Sequence, residues 1–284
     1  MSIQVITPEL RRWILEQAEA GVSPEQTLAS MRNSGWEDPV SIRALEETLK
    51  KSLGLTPDQD PSLPRGVPVP EPALEGMPNK LWAGDREVEV LVAMKHPRVV
   101  VFGGLLSDDE CDAMVAQSES RLSRSETVTL TQDGSEVNSA RTSDGMFFDR
   151  GETELCRRIE TRLAKLLHWP LENGEGLQVL RYKPGAEYLP HYDYFDPQHA
   201  STATILKRGG QRVGTVVMYL NTPERGGSTI FPDIGLEVLP VKGNAVFFSY
   251  DRPHATTRTL HGGSPVVAGE KWVATKWLRE GVFD

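Results

Sequence analysis

A histidine and an aspartate separated by one residue, His191 and Asp193, lie in a stretch of strand-forming residues, YLPHYDYF, at positions 188–195. Side chains alternate between the two faces of a strand, so this pair points the same way. A neutral imidazole and a carboxylate on one face can bind a divalent metal ion from one side. His-x-Asp is also found as two polar residues on an exposed edge strand, so the pair needs a third partner.

The third ligand has to come from another strand, and His261 has the most informative surroundings. It precedes a Gly-Gly-Ser-Pro turn and stands ten residues before Lys271. This spacing predicts that His261 ends one strand and that Lys271 begins the next, with both facing one cavity. A buried lysine is costly unless it meets an anion, and a dicarboxylate that chelates the metal at its other end would supply one. His254 is the alternative third ligand.

Two histidines and one carboxylate on a divalent ion form the triad of non-haem iron(II) oxygenases, which leaves coordination positions open. Such a site needs a rigid frame of strands from distant parts of the chain. The pattern predicts a strand at 98–102 and helices at 107–120 and 152–167. Further strands are predicted at 177–183, 187–194, 211–220, 228–231, 235–239, 244–250, 257–261 and 271–279. This order predicts an α+β fold with a double-stranded β-helix (jelly-roll) core and flanking helices.

The chain before this region has a different character. Three start signals, Thr7-Pro8, Ser23-Pro24 and Asp38-Pro39, predict three short helices and a small N-terminal helical bundle over residues 1–54. Seven prolines between positions 57 and 78 predict an extended linker over 55–80. The main domain then spans 81–284. The bundle is expected either to dock a partner as an accessory domain or to cap the main domain.

Composition narrows the classes of partner. The chain has 284 residues, of which 38% are hydrophobic, with 31 basic and 40 acidic side chains and a formal charge of −9. An acidic surface disfavours nucleic acid and anionic lipid as partners. The two cysteines, Cys111 and Cys156, are expected to be buried free thiols. No signal pattern or membrane span is predicted, which favours a cytoplasmic protein without a membrane partner.

Six motifs in a fixed order resemble the catalytic domain of prolyl 4-hydroxylases, a branch of the iron(II)/2-oxoglutarate dioxygenases. They are YKPGAEYLPHYD at 182–193, GGQRVGTVVMYL at 209–220, GGSTIFP at 226–232, KGNAVFF at 242–248, LHGGSPV at 260–266 and GEKWVATKW at 269–277. Upstream, RTSDGM at 141–146 is similar to the arginine-threonine-serine strand of that family. The resemblance covers residues 98–279.

The resemblance implies an enzyme that hydroxylates peptidyl proline at the 4-position and releases succinate and CO₂. Its cofactors would be Fe(II), 2-oxoglutarate and O₂, with L-ascorbate as reductant, and its partner a proline-containing peptide or protein. The implied roles are iron ligation by His191, Asp193 and His261, 2-oxoglutarate binding by Lys271, Tyr182 and Thr215, and substrate contact by Arg141, Arg212 and Trp277. Two alternatives remain: the same chemistry on a free amino acid or small metabolite, and a non-catalytic jelly-roll binding module.

Overall fold

The computed structural model describes residues 4, 6–52, 63–124 and 142–284. The chain divides into two compact units, residues 1–66 and 67–284. Each unit has its own apolar core among the described residues.

The first unit contains three helices, α1 (Pro8–Glu19), α2 (Pro24–Asn33) and α3 (Asp38–Ser52). Thr7 and Ser23 cap the first two, since their side-chain oxygens accept bonds from backbone N–H groups of the first turn. The three helices bury one small cluster, made of Ile14, Met31, Ala44 and Leu45.

The second unit begins inside the proline-rich segment, so the linker expected over 55–80 ends earlier than predicted. Val67 donates a backbone hydrogen bond to the Asp251 carbonyl at 2.8 Å, and Glu71 donates to the Leu167 carbonyl at 3.0 Å. Pro70 is buried and its ring lies beside Gly214. Proline forbids a helix here, but it allows an extended chain that packs on the sheet. Residues 55–62 lie outside the described residues.

The strands of the second unit come from its whole length. They are β1 (Lys80–Trp82), β2 (Glu87–Met94), β3 (Arg98–Gly103), β4 (Ser123–Arg124), β5 (Asp144–Phe148), β6 (Gly174–Tyr182), β7 (Tyr188–His191), β8 (Arg212–Tyr219), β9 (Arg225–Gly226), β10 (Thr229–Phe231), β11 (Leu236–Val238), β12 (Ala245–Ser249), β13 (His261–Gly263), β14 (Val266–Ala268) and β15 (Lys271–Arg279). The helices are α4 (Asp108–Glu119), α5 (Glu154–Leu166) and the single turn α6 (Thr202–Ile205).

Two antiparallel sheets face each other. The larger has the order β1-β2-β3-β12-β8-β15-β6-β5-β4, the smaller has the order β11-β10-β13-β7, and β14 and β9 form a separate pair. Large side chains such as Leu180 and Phe248 from the first sheet pack against Phe231 and Val238 of the second. The space between the sheets therefore holds one core, and it is also where the predicted site residues point.

Strand alternation gives the large sheet two different faces. Along β15, Val273 faces the smaller sheet, whereas Trp272 and Ala274 pack in the cluster that contains Leu155 and Ile159 of α5. All nine residues of β15 are buried because the strand is covered on both faces.

The structure contains strands that the sequence pattern did not single out. The strands β1, β2 and β4 extend the large sheet, and β9 and β14 form the separate pair. The strand predicted at 257–261 begins only at His261, because residues Ala255–Thr257 form a 3₁₀ turn and Arg258 has a positive φ of 55°. His261 therefore starts a strand rather than ending one. Cys111 and Cys156 are buried and free, as predicted. Among the described residues, no helix is both long and apolar enough to cross a bilayer.

Candidate metal centre and cofactor pocket

One cavity between the two sheets collects most of the predicted site residues. Its empty space is about 470 Å³, open solvent at the mouth included. The strands β6, β8 and β15 supply the wall on the large-sheet side, and β7, β10 and β13 supply the other wall. The lining includes polar and aromatic side chains from both walls: His191, Asp193, His261, Thr215, Lys271, Tyr182, Thr229 and Trp277.

Two antiparallel strands bring the two histidines together. His261 of β13 is the register partner of His191 of β7, and their ring centres are 4.4 Å apart. The strands approach closely because Gly262 has no side chain: a Cβ there would lie 2.8 Å from the Tyr188 carbonyl oxygen. Asp193 follows β7 and completes the group, in which one nitrogen or oxygen of each residue lies within 4.8 Å of the others.

Both imidazoles are oriented by backbone carbonyls. His191 Nδ1 lies 2.9 Å from the Leu189 oxygen, and His261 Nδ1 lies 2.9 Å from the Thr259 oxygen. A carbonyl only accepts, so each Nδ1 carries the proton and each Nε2 keeps its lone pair. Burial lowers the pKa of His261 to about 4, so this ring is neutral at pH 7. A neutral Nε2 is the form that binds metals.

The carboxylate between the histidines is buried and charged. Asp193 Oδ1 is 3.6 Å from His191 Nε2, and Oδ2 is 3.4 Å from His261 Nε2. Burial would raise the pKa of Asp193, but the electrostatic influence of the neighbouring His261 and His191 side chains outweighs it and holds the pKa below its ordinary value. Thr215 Oγ1 donates to Asp193 Oδ2 at 2.7 Å. The donor set thus combines two imidazole nitrogens with one carboxylate, which fits Fe(II).

Lys271 is buried without a counter-charge. Its side chain is 4% exposed, and Nζ lies 5.4 Å from the Tyr182 ring centre and 5.9 Å from the Tyr219 ring centre. The described residues offer it no ion pair, and burial lowers its pKa to about 8. A buried ammonium group beside aromatic rings and a cavity is a receptor for an anion. This arrangement fits a carboxylate of 2-oxoglutarate.

A third part of the cavity holds Trp277. Its side chain is 8% exposed, and within the described part of the chain its Nε1 has no hydrogen-bond partner. The Arg212 guanidinium lies 4.0 Å from the Trp277 ring centre and binds both oxygens of Glu175, at 2.6 and 2.9 Å. Arg212 therefore packs on the face of the Trp277 ring, while its guanidinium is held by Glu175.

The remaining predicted residues have other surroundings. Thr215, expected at 2-oxoglutarate, lines the same cavity, and its hydroxyl contacts Asp193 and Tyr250. Strand register explains this, since Thr215 pairs with Trp277, six residues from Lys271 on β15, or roughly 20 Å of strand. His254 caps a 3₁₀ turn through Thr256 and is outside the metal cluster. Arg141 lies outside the described residues.

Thr229 was not among the predicted site residues. It lines the cavity and accepts a hydrogen bond from the Tyr219 hydroxyl at 2.8 Å. It lies on β10 opposite Gly263, and a Cβ at Gly263 would be 3.7 Å from Lys271 Nζ. The residue stands inside the GGSTIFP motif, so its position, though not its role, was visible in the sequence.

Comparison with known proteins places this geometry in a class. Residues 177–279 match the model of the 2OG-Fe(II) oxygenase superfamily. The fold resembles the crystal structure of the viral collagen prolyl hydroxylase of Paramecium bursaria Chlorella virus 1 in its 2-oxoglutarate complex, with a TM-score of 0.50 and 32% identity over 64% of this chain and 95% of that one. The fold and site therefore define an iron(II)- and 2-oxoglutarate-dependent oxygenase with a jelly-roll core.

Curated relatives narrow the class. Prolyl 4-hydroxylase 5 of Arabidopsis thaliana is 40% identical over 216 residues, which cover 69% of this chain and 72% of that protein. Prolyl 4-hydroxylase 1 of the same plant is 39% identical over 225 residues, covering 70% and 77%. The chain belongs to the prolyl 4-hydroxylase family of 2OG-Fe(II) oxygenases, and its cofactors are Fe(II), 2-oxoglutarate and O₂.

Proposed function

We propose that this enzyme hydroxylates proline in a peptide or protein at the 4-position, with conversion of 2-oxoglutarate to succinate and CO₂. The observation that carries the proposal is the pairing of two features in one cavity. The His191, Asp193 and His261 donors lie together, and the same space is lined by Lys271, whose ammonium group has no ion pair among the described residues. The names of the relatives add proline as the substrate residue.

His191, Asp193 and His261 are the proposed iron ligands. Each histidine would bind through Nε2, because Nδ1 is held by a carbonyl. Iron would activate O₂, and this activation is needed to attack an unactivated C–H bond. The protein's part is to fix three ligands on one side and leave the other side open toward the cavity.

Lys271 is the proposed partner of the 2-oxoglutarate carboxylate that lies away from the metal. Tyr182 lines the pocket wall beside Lys271. Thr215 is retained as a proposed hydroxyl contact of 2-oxoglutarate, and we add Thr229 as a second one. A carboxylate would relieve the cost of burying the Lys271 charge, so part of the affinity would come from the ion pair that it forms with Lys271.

Trp277 is the proposed contact for the peptide. Its Nε1–H, which has no partner in the described part of the chain, is proposed to donate to a backbone carbonyl of the peptide. An extended, proline-rich peptide loses little entropy on binding because it is already ordered. Arg212 positions the indole ring through the Glu175 ion pair. Arg141 is retained as a proposed substrate contact on the resemblance of its motif.

Other roles are proposed without a structural argument. L-ascorbate is the proposed reductant, and the cytoplasm is the proposed location. For the first unit, 1–66, we propose an accessory role in docking a partner. Its separate core predicts that residues 67–284 keep the chemistry when the unit is removed.

The test is incubation of the purified protein with Fe(II), 2-oxoglutarate, ascorbate and a panel of proline-containing peptides. Mass spectrometry should find one added oxygen, located on C4 of proline by comparison with authentic 4-hydroxyproline, and succinate should form in equal amount. The Asp193→Ala variant is the matched control and should produce neither. If a free amino acid or metabolite stimulates succinate formation and no peptide is modified, the substrate is a small molecule instead of a peptide. If neither peptides nor small molecules stimulate succinate formation, the protein is a non-catalytic binding module.

A further inference from the structure

A hydrogen-bonded chain of three side chains runs into the metal cluster from the large sheet. Tyr250, which directly follows β12, lies with its hydroxyl 2.9 Å from Thr215 Oγ1, and Thr215 Oγ1 lies 2.7 Å from Asp193 Oδ2. Tyr250 is 2% exposed and Thr215 is fully buried. No part of the proposed chemistry so far uses Tyr250.

The direction of the chain follows from the number of protons. A carboxylate only accepts hydrogen bonds, and a threonine hydroxyl has a single proton. Thr215 therefore donates to Asp193, and its oxygen must accept from Tyr250. Each link strengthens the next, since donating a proton makes a hydroxyl oxygen a better acceptor in turn.

The backbone fixes both hydroxyl residues. Thr215 is in the middle of β8, paired with Phe248 of β12 and with Trp277 of β15. Tyr250 N donates to the Val213 carbonyl at 3.1 Å, and the Tyr250 ring packs on Phe248 and Tyr194. The hydrogen-bonded chain thus fixes the carboxylate of Asp193, which lies beyond the end of β7, to the large sheet.

We propose that Tyr250 and Thr215 are positioning residues. Their hydrogen-bonded chain engages Asp193 Oδ2, so that Asp193 would bind iron through Oδ1 alone. The proposal rests on the proposed metal site. A carboxylate bound by one oxygen leaves three of six positions for a chelating 2-oxoglutarate and O₂. A carboxylate bound by two oxygens would leave only two. The chain of hydroxyls would therefore set how many positions stay open.

The test measures Mn(II) affinity of the full-length protein by the electron paramagnetic resonance signal of free Mn(II). Thr215→Val should weaken binding by about 10–100-fold, the usual effect of losing a partner of a metal ligand. Tyr250→Phe should weaken it by about 3–10-fold, the range for one net hydrogen bond. Thr215→Ser, which keeps the hydroxyl, should bind within about threefold of wild type.

The double variant shows whether Tyr250 and Thr215 act as one hydrogen-bonded chain or affect Mn(II) affinity independently. In the Thr215→Val background, Tyr250→Phe should cause no further loss, because the link to Asp193 is already broken. Tyr194→Phe is the matched control, since it removes a neighbouring phenol hydroxyl that is outside the chain. It should leave Mn(II) affinity at the wild-type value.

The outcomes separate this inference from the proposed function. Wild-type Mn(II) affinity in both Thr215→Val and Tyr250→Phe would overturn the positioning role while leaving the metal site intact. Lower thermal stability of those variants with unchanged affinity would also overturn it, because a packing role predicts that result. A wild-type protein that binds no Mn(II) would overturn the metal site itself.

Discussion

Lys271 lies directly opposite Tyr182 across the β6–β15 strand pair, and its Nζ is 5.4 Å from the centre of the Tyr182 ring. Both side chains face the cavity, and the described residues provide no carboxylate for the ammonium group. The apoprotein therefore bears the cost of a buried charge that only a ligand relieves. A destabilised group of this kind marks a binding site rather than a structural ion pair.

Replacing Lys271 by methionine should abolish 2-oxoglutarate binding and stabilise the apoprotein. The buried charge disappears, and a shift of the Lys271 pKa from 10.5 to about 8 corresponds to about 3 kcal/mol at pH 7. Urea unfolding measures the gain, and calorimetry with the Mn(II)-loaded protein measures the loss of affinity. A variant that still binds 2-oxoglutarate with wild-type affinity would contradict the assignment.

Lys276 on the same strand is the matched control for Lys271. It is buried as well, but its Nζ bonds to Glu160 Oε1 at 2.5 Å on the helix side of the sheet. Lys276→Met leaves Glu160 buried and unpaired, so the free energy of unfolding should fall by about 3–5 kcal/mol. The two replacements are chemically identical and should change stability in opposite directions.

The affinity for 2-oxoglutarate should fall as the pH rises above about 8. Lys271 loses its proton near that pH in the apoprotein, and the ligand binds the protonated form. Above pH 8 binding must take up a proton, so affinity should drop about tenfold per pH unit, with a plateau below. Titration calorimetry between pH 7 and 9.5 tests this, and a flat profile through that range would be inconsistent with it.

The stability difference between Lys271→Met and wild type should also depend on pH. The folded-state pKa of about 8 is below the unfolded value of 10.5, so between these values the unfolded chain binds more protons. The free energy of unfolding of the wild type therefore increases as the pH rises between these two values, because Lys271 loses its charge. The extra stability of Lys271→Met over wild type should be largest below pH 8 and should vanish above pH 10.5. A constant difference would point to packing instead of charge.

Asp193→Ala should abolish metal binding and hydroxylation, while His254→Ala should leave metal affinity unchanged. Asp193 is one of three clustered donors, whereas His254 is held in a turn by Thr256. Removing one of three ligands should weaken Mn(II) binding by at least about 100-fold, more than the loss of a partner of a ligand. Equal effects of the two replacements on Mn(II) affinity would contradict the chosen triad.

Trp277→Phe should raise the KM for peptide without changing the affinity for 2-oxoglutarate. Phenylalanine keeps an aromatic ring beside Arg212 but lacks the Nε1–H group that has no partner in the described protein. Loss of one hydrogen bond is worth about 0.5–1.5 kcal/mol, or up to about tenfold in KM. Steady-state kinetics with peptide and cosubstrate varied in turn would separate the two effects. An unchanged peptide KM would remove Trp277 from the substrate contacts.

Much of the site could be predicted because its residues stand in short motifs with fixed local geometry. His-x-Asp places two donors on one side of a strand in any fold, and the chemistry of a buried lysine near a metal demands an anion. The core strands from β6 onward could be predicted for a similar reason, since apolar runs such as β12, Ala245–Ser249, leave few alternatives. The edge strand β1 and its neighbour β2 were missed because their burial is partial and their pattern is set by neighbours far along the chain.

By itself, the sequence determined the kinds of donor that this protein offers, their order along the chain and the covered strands that carry them. These follow from side-chain chemistry and from the two-residue period of a strand. Only the tertiary structure decided which threonine hydroxyl forms a hydrogen bond with the carboxylate of Asp193. Strand register places the Thr215 hydroxyl against Asp193 and Tyr250, six residues along β15 from Lys271, and it brings Thr229 into the same cavity. Register depends on pairings between residues far apart in the chain, and no local pattern contains that information.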